Sequence, residues 1–449
     1  MTTTETGGEP EATSTGTPPS ETSAGRGALA EPGFRRLWLT NIAFFLVVNA
    51  QRFAFGWVVL DLLLRDEGSQ GMVVFALGAP TLLLVLHAGA WADRWNRKRM
   101  LVVTQLAGAS VMALTAVFID QGIVGPGGEV ADRMLGEGSL GAPESFDTGY
   151  GWLLALTLLA GAATTIGHPV RSSLVPVLVK REQLFGAIAL NAIAMTLSLI
   201  LGPVLVRAAG ETFGFDGAFW FLAALLGVGS LFLIRLDVPE RPVAVERRSV
   251  LADTAEAVRH IWRDRHLRTL FGLLFMSSMT VNPAVMVTLQ AHVKDEFDRS
   301  AGDAAIPFAL MGVGIAISSV FVMRKGDMAN KGAVFQRAMM CGSTVTFCTG
   351  LAPSFVAVVA LAFLMGLAGG FFINMNQGLI QSSTPLELMG RTMGVYTLVA
   401  QGLFPLGALA LGVAATTIGT GATISSAAAI SLVIVIVTYV HNTELRRLG

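Results

Sequence analysis

The side chains able to do chemistry in this 449-residue chain are the few polar and charged ones set inside long apolar runs. Arg52 leads them, in Asn49-Ala50-Gln51-Arg52-Phe53. An arginine at bilayer depth costs roughly 2.5–3.5 kcal/mol on insertion scales, so its presence asks for a function. The nearest acid in the same run is Asp61, nine residues on. Two and a half helical turns put it about 13 Å away and on the opposite face. Arg52 thus lacks a partner on its own helix. With Asn49 and Gln51 it is expected to face a cavity and contact an anionic or polar small molecule. The competing role is to cap backbone carbonyls between helices. Arg207 closes another run and is expected to snorkel to the lipid headgroups.

Two histidines, His87 and His168, also fall within apolar runs and can titrate near neutrality. His168 is the stronger candidate, because Pro169 after it frees backbone groups of its helix. Asn282-Pro283 interrupts the seventh run, and Asn374, Asn376 and Gln377 make the tenth unusually polar. Such residues either line a cavity or hydrogen-bond between helices. None of them forms a catalytic constellation. The chain has no His-Glu-x-x-His, no Gly-x-Ser-x-Gly, no phosphate-binding Gly-x-x-x-x-Gly-Lys-Ser/Thr and no cluster with metal-ligand spacing. An enzyme, a resident cofactor, a metal centre and direct drive by ATP are therefore not expected.

Composition says what must position these groups. Hydrophobic residues make up 53% of the chain and charged ones 14%, with a mean hydropathy of +0.63. A soluble domain keeps about 25% charged residues, so most of this surface must meet lipid. The formal net charge is zero, which removes the electrostatic case for nucleic acid. About twenty apolar residues cross a bilayer core. Twelve runs qualify, at about 37–63, 72–92, 100–119, 151–178, 185–206, 218–236, 268–290, 304–323, 333–352, 355–380, 392–414 and 422–440. The expected fold class is an all-α membrane protein of twelve transmembrane helices.

An even count returns both termini to one side. With that side cytoplasmic, 25 of the 31 basic residues fall inside and four, Arg65, Arg133, Lys294 and Arg299, outside. That asymmetry predicts cytoplasmic termini. Residues 1–33 read as a disordered tail of Thr, Ser, Gly, Pro and Glu, and 442–449 as a second, short tail. The connection 237–267 carries Val250, Leu251, Val258, Ile261 and Trp262 at helical spacing among charges. It predicts a linker with an amphipathic helix along the inner membrane face. Cys341 and Cys348, seven apart in one run, lie on one helix face too far apart to bridge and read as small packing residues.

The runs repeat. Asp93-Arg94-Trp95-Asn96-Arg97-Lys98 after the second run is answered 234 positions on by Asp327-Met328-Ala329-Asn330-Lys331-Gly332. Glu182-Gln183-Leu184-Phe185-Gly186 is answered by Glu387-Leu388-Met389-Gly390. Asp93 to Gly186 is 93 residues and Asp327 to Gly390 is 63, and the excess of 30 matches the Gly-, Pro- and acid-rich stretch Asp120 to Tyr150. Without that external insert, two six-helix halves, 34–236 and 268–441, run in register, with Asn49 and Asn282 in related places 233 apart. Duplicated halves with a site at their interface are a recurrent transporter plan.

Gly89-Ala90-Trp91-Ala92-Asp93-Arg94-Trp95-Asn96-Arg97-Lys98-Arg99 resembles the signature of the major facilitator superfamily, Gly-x-Leu-Ala-Asp-Arg-x-Gly-Arg-Lys, with Asn96 in the place of a glycine. The stretch His168-Pro169-Val170-Arg171-Ser172-Ser173-Leu174-Val175-Pro176, with Leu190-Asn191 and Leu201-Gly202-Pro203, is similar to the siderophore-exporter and macrolide-efflux branch. Gln381-Ser382-Ser383-Thr384-Pro385, Gly390-Arg391 and Pro405-Leu406-Gly407 resemble the same branch in the second half. Exporters often continue Gly-Pro-x-x-Gly-Gly, whereas this chain reads Gly202-Pro203-Val204-Leu205-Val206-Arg207. The resemblance implies a major facilitator fold and export of small molecules, generally by proton exchange. It also implies gating roles for Gly89, Asp93, Arg94, Arg97, Lys98, Arg171, Asn191, Gly202, Pro203, Gly390 and Arg391.

Together these features predict a secondary active transporter in the cell (inner) membrane that exports a small organic, anionic or siderophore-like compound by alternating access. An importer of an anionic metabolite and a non-transporting receptor are the alternatives. Substrate-contacting residues are expected to be Arg52, Asn49, Gln51, His168, Asn282, Asn374, Asn376 and Gln377. Every acid falls in a tail, loop or helix end, so Asp61, Asp93 and His168 are the proton-carrier candidates. The expected partners are the bilayer and the small-molecule substrate, and the expected state is a monomer.

Overall fold

Runs that are apolar on all sides form helices surrounded by protein or lipid. The computed structural model describes residues 27–94, 96–125, 148–180, 183–238, 250–325 and 330–448, and for 85–94, 185, 189, 250–253 and 386 the backbone only. Within them every regular element is helical. The first bundle contains α1 (Pro32–Trp57), α2 (Glu67–Arg94), α3 (Arg97–Asp120), α4 (Thr148–Leu178) and α5 (Leu184–Ile234). Gly214, at φ 85°, breaks α5 into two arms, a backbone turn open to glycine because it has no Cβ. The connecting helix α6 is Val250–Arg263. The second bundle contains α7 (Arg265–Phe297), α8 (Ala305–Lys325), α9 (Lys331–Thr349), α10 (Phe355–Ser382), α11 (Met389–Ile418) and α12 (Thr420–His441), followed by α13 (Thr443–Arg446). Nine helices among the described residues are long and apolar enough to cross a membrane, with α5 counted once and α2 and α9 not among them.

Polar caps set where several helices start. Asn96 accepts from the Arg99 amide at 3.0 Å to open α3. Asp264 accepts from the His266 and Leu267 amides at 2.8 and 2.9 Å to open α7. Each cap replaces a hydrogen bond that a helix start cannot make internally. Three π-turns interrupt the ladders, at Val58–Leu62 after α1, Ala284–Thr288 in α7 and Leu398–Gly402 in α11. The second lies just past Thr280, where φ −121° and ψ −82° break α7 ahead of Asn282-Pro283. Such turns re-aim side chains and gather at functional sites.

Helix α5 packs on α1 and α3, and α2 on α4; in the second bundle α10 packs on α8 and α9, and α9 on α12. The bundles meet along α2–α11 and α5–α8. Ion pairs Lys180–Glu31, Arg36–Asp237 and Arg265–Glu444 gather at the end that carries both chain ends, here the terminus end. The opposite, far end carries the Val58–Leu62 turn and the α7–α8 connection.

Several expectations are corrected. Residues 27–30 are helical and Ala28 is fully buried, so the predicted tail is already ordered before residue 34; residues 1–26 lie outside the described residues. The short tail after 441 also packs, with Leu445 buried and the Gly332 amide donating to Leu448 O at 3.1 Å. Helix α6 turns Ala257 and Ile261 onto Leu267 and Leu270 of the second bundle, so part of its apolar side faces protein, while Trp262 stays 64% exposed and the side chains of Val250 and Leu251 lie outside the described residues. Cys341 and Cys348 are exposed along α9 and do not pack inside. The stretches 126–147, 239–249 and 326–329, with Glu182, are outside the described residues, which includes most of the acidic insert and the landmark Asp327.

Candidate functional site

Between the bundles lies a cavity of about 450 Å³. The first bundle contributes Gln51, Arg52, Thr81 and His168, and the second contributes Thr397, Gln401 and Phe404 from α11. Among the described residues, Arg52 is the one permanent charge on its wall, and no carboxylate lines it. The Arg52 guanidinium lies 4.7 Å from the centre of the Phe404 ring, across the bundle interface. A desolvated cation over an aromatic face gains about 2 kcal/mol, which offsets much of an insertion cost of roughly 2.5–3.5 kcal/mol. No acceptor among the described residues meets its N–H groups, and an incoming anion can supply them. His168 faces the same cavity beside Phe45, ring centres 6.2 Å apart. Thr81 and Thr165 share a 2.9 Å hydrogen bond that ties α2 to α4 in this wall.

The cavity is closed at the far end by contacts from bundle to bundle. Asp61, turned inward by the Val58–Leu62 π-turn, accepts from Trp57 Nε1 at 2.9 Å, Ser300 Oγ at 2.7 Å and the Ala301 amide at 2.9 Å. Lys294 Nζ approaches its other oxygen at 3.4 Å and donates to Leu60 O. Asp61 therefore caps a 3-10 turn of the other bundle, and Lys294 neutralises it. Gln70 Nε2 donates to Gln290 Oε1 at 2.9 Å, and Gln290 Nε2 to Phe53 O at 3.2 Å. Arg207 does not snorkel to lipid as expected. Its Nη2 meets Asp303 of the second bundle at 2.6 Å, a partner more than ninety residues on that its own run does not reveal. Below these pairs α2 and α11 touch backbone to backbone: a Cβ on Gly412 would stand 2.7 Å from Glu67 O and 2.9 Å from Gly71 Cα. At the terminus end, Lys180–Glu31, Arg36–Asp237 and Arg265–Glu444 each stay within one bundle or its flanking segments. The far end is shut and the cavity reaches toward the terminus end.

Asp295 adds a titrating contact to this closure. Helix α7 is 33 residues long, about 50 Å at 1.5 Å per residue. Its charged last turns therefore overhang the roughly 30 Å core. On that overhang the Asp295 carboxyl, exposed on one side, is pushed up to about 7, first by partial burial, then by a hydrogen bond to Glu67 of α2 and by the charges of Glu67 and Glu296, with Lys294 opposing. A free aspartate titrates near 3.9, so protonation favours the closed far end. The gain is full below about pH 4 and is lost as pH rises through about 7. We expect distances between spin labels across the far end to report more closure at pH 6 than at pH 8, and Glu67→Gln to flatten that dependence. An equal response in wild type and variant would assign the dependence elsewhere.

Arg171 corrects a second expectation. Placed by its sequence position among the basic residues of the terminus end, it is buried in the first bundle at 2% exposure. It donates to Asn41 Oδ1 at 2.9 Å and to Gln105 Oε1, and lies 4.1 Å from the Phe44 ring centre. Asn41 in turn donates to Asn191 Oδ1 at 3.0 Å, and Gln105 Nε2 to Leu226 O at 2.9 Å. Arg171 and Asn191 thus join α1, α3, α4 and both arms of α5 into one body. Arg171→Met strands Asn41 Oδ1 at about 1–3 kcal/mol, while Gln105 Oε1 keeps its 3.0 Å hydrogen bond from Thr40 Oγ1. Its thermal unfolding midpoint in detergent should fall by a few degrees, on the order of 1–4 °C. An unchanged midpoint would leave Arg171 a gating role alone.

The remaining predicted residues are dispersed. Asn49 donates to Phe45 O at 3.0 Å on its own helix, beside Gly202, whose added Cβ would stand 3.1 Å from the Ala50 amide; Pro203 is buried next to it. Asn282 lines a second cavity of about 230 Å³ inside the second bundle. Asn374 Nδ2 donates to Ser319 Oγ at 2.9 Å and to Gly370 O at 2.7 Å, binding α10 to α8. Asn376 is fully buried with neither amide atom paired, and Gln377 is half-buried. None of these residues lines the Arg52 cavity, because its second-bundle wall is α11. Arg391 pairs with Glu256 of α6, whereas an added Cβ on Gly390 meets nothing within 4 Å. Arg97 and Lys98 sit half-buried at the start of α3. The side chains of His87, Gly89, Asp93 and Arg94 lie outside the described residues. Phe404, Gln401, Gln70, Glu67, Asp295 and Asp303 were not anticipated; only Phe404 and Gln401 carried a signal, as neighbours of Pro405-Leu406-Gly407.

Comparison with known proteins agrees with this geometry. The multidrug efflux pump Tap of Mycobacterium tuberculosis is 25% identical over 380 residues, covering 80% of this chain and 81% of the pump. The enterobactin exporter EntS of Shigella flexneri is 23% identical over 374 residues, covering 82% of this chain and 81% of the exporter. Among solved structures, an alanine variant of the nucleoside transporter NupG superposes with a TM-score of 0.70 at 14% identity, covering 91% of this chain and 99% of that one. A POT family transporter in complex with 5-aminolevulinic acid reaches 0.70 at 12% identity, covering 92% and 96%. At such identities the structures speak for the fold alone. The family model of the major facilitator superfamily matches residues 37–408, through both bundles and every wall of the cavity, and the chain belongs to that superfamily of multi-pass membrane transporters.

Proposed function

We propose that this transporter exports a small organic anion, of catecholate or similar acidic character, from the cytoplasm by alternating access. The observation that carries the reading is Arg52: the one cation, with no carboxylate beside it, among the described residues that line an interbundle cavity. Relatives named as a multidrug efflux pump and an enterobactin exporter support the direction. In this reading both arms of α5 cross separately and α2 and α9 cross as well, which makes twelve crossings in halves 34–236 and 268–441. The excess of basic residues at the terminus end supports cytoplasmic termini. The cavity then opens inward and the Asp61 and Arg207 contacts seal the outside. Gln51 and His168 join Arg52 in contacting the cargo, and a single chain encloses the whole path. Asp61 serves the seal, while Asp295 and His168 are the groups placed to exchange protons. Gly89, Asp93, Arg94, Arg97 and Lys98 engage when the terminus end closes in turn.

Everted membrane vesicles test the proposal. Uptake of enterobactin should exceed uptake of a lipophilic cationic dye, and should collapse when a protonophore dissipates the proton gradient. Preference for the cationic dye would overturn the anion reading, and gradient-independent flux would overturn proton coupling.

A further inference from the structure

We propose that the terminus end of α9, α12 and α13 forms a binding site for the headgroup of an anionic phospholipid. A cavity of about 400 Å³ there is lined by Asn330, Arg337, Tyr439, Arg446 and Arg447, with no carboxylate among its lining residues. Tyr439 organises the arginines. Its hydroxyl accepts from Arg337 Nε and Nη2, both at 3.4 Å, and its ring centre lies 4.8 Å from the Arg446 guanidinium. Neither Arg337, Arg446 nor Arg447 forms an ion pair with a described residue, and Glu444 of the same short helix is engaged 3.3 Å away by Arg265. Three guanidinium groups so placed repel one another until an anion joins them, and each presents forked donors suited to phosphate.

The first turn of α9 lines the same cavity. Asn330 precedes it at φ 57° and gives no side-chain cap, so the positive end of the helix dipole adds to the field. The surface beside the cavity selects lipid over a free anion. Ile436, 40% exposed, sits one turn before Tyr439 and borders an exposed stripe of Val433, Val437 and Val440 on α12, at 60%, 51% and 59%. Spaced four and three apart, they share one helix face. An acyl chain lies along that stripe while its phosphate sits among the arginines. Basic pockets between membrane helices at the headgroup level take such lipids. This inference needs only the membrane embedding of the family and is independent of the cargo or its direction.

The full chain, purified in detergent, is titrated with phosphatidylglycerol, with phosphatidylcholine and with inorganic phosphate, and bound lipid is counted by native mass spectrometry. Phosphatidylglycerol should bind at least about tenfold more tightly than phosphatidylcholine. Exchanging Arg337, Arg446 and Arg447 together for Gln should weaken phosphatidylglycerol about a hundredfold and leave phosphatidylcholine unchanged. Tyr439→Phe, which keeps the ring and removes the hydroxyl, should give an intermediate loss and serves if the triple variant elutes as aggregate. Inorganic phosphate should neither displace the lipid nor raise the melting temperature. Equal affinity for the two lipids, or full phosphatidylglycerol binding by the variants, overturns the site. Protection by phosphate equal to that by phosphatidylglycerol assigns it to a soluble anion and overturns the lipid.

Discussion

Arg52→Gln should lower transport of an anionic substrate at limiting concentration by about ten- to hundredfold, with Arg52→Lys in between. Hydrogen bonds to a charged group contribute about 1.5–3 kcal/mol, and each 1.4 kcal/mol is tenfold. The amide keeps a donor but loses the charge, whereas lysine keeps the charge but loses the planar fork. Stability should not fall with activity, since removing a charge from bilayer depth relieves its insertion cost. Phe404→Leu separates two roles of the same arginine. It deletes the ring 4.7 Å from the guanidinium and leaves the cation in the cavity wall. If Arg52 serves the cargo, Phe404→Leu loses less than Arg52→Gln in vesicle uptake. Equal losses would mean that Arg52 works only as a bridge between α1 and α11, and wild-type uptake by Arg52→Gln would remove it from the mechanism.

The second large effect is expected at the backbone contact between α2 and α11. A leucine at Gly412 would put its Cβ within 3 Å of Glu67 O and Gly71 Cα, and neither backbone atom can move aside by a rotamer change. Forced overpacking of this kind costs about 1–3 kcal/mol, enough to shift a two-state equilibrium about five- to hundredfold. Gly412→Leu should hold the far end open and abolish turnover while the protein remains folded. A single cysteine at Ala301, which is fully buried and bonds Asp61 through its backbone amide, in a background without Cys341 and Cys348, should then react with a membrane-impermeant maleimide from the far side at several times the wild-type rate. Asp61→Asn should act in the same direction but more weakly. It keeps an acceptor for Trp57, Ser300 and Ala301 and loses only the charge facing Lys294. Unchanged labelling of Gly412→Leu would mean that α2 and α11 do not part during the cycle.

Much of the candidate site was legible at the level of single residues. Arg52 and His168 stood out because an ionisable side chain inside an apolar run is costly wherever the chain folds, and both line the cavity. Asn374 and Asn376 stood out for the same reason, yet one bonds α10 to α8 and the other is sealed in the second bundle. A polar side chain marks its run, and the angle of its helix decides between cavity and core. Arg171 shows the converse. It sits near a helix end in the sequence, where basic residues are cheap, but its side chain turns inward to Asn41 and Gln105.

Composition, hydropathy and the repeated landmarks by themselves determined an all-helical membrane chain with two related halves and a short basic signature between helices. These properties follow from what surrounds each residue on average, and a local window of sequence records that. Which residues close the far end was decided only in three dimensions. Asp61 meets Ser300 and Ala301, Gln70 meets Gln290, and Arg207 meets Asp303, all across the two bundles. The register of α2 against α11 and of α5 against α8 sets those pairs, through backbone contacts at glycine and the inward turn of a π-segment. No local window holds both partners, so the closure that makes the Arg52 cavity one-sided belongs to the packing alone.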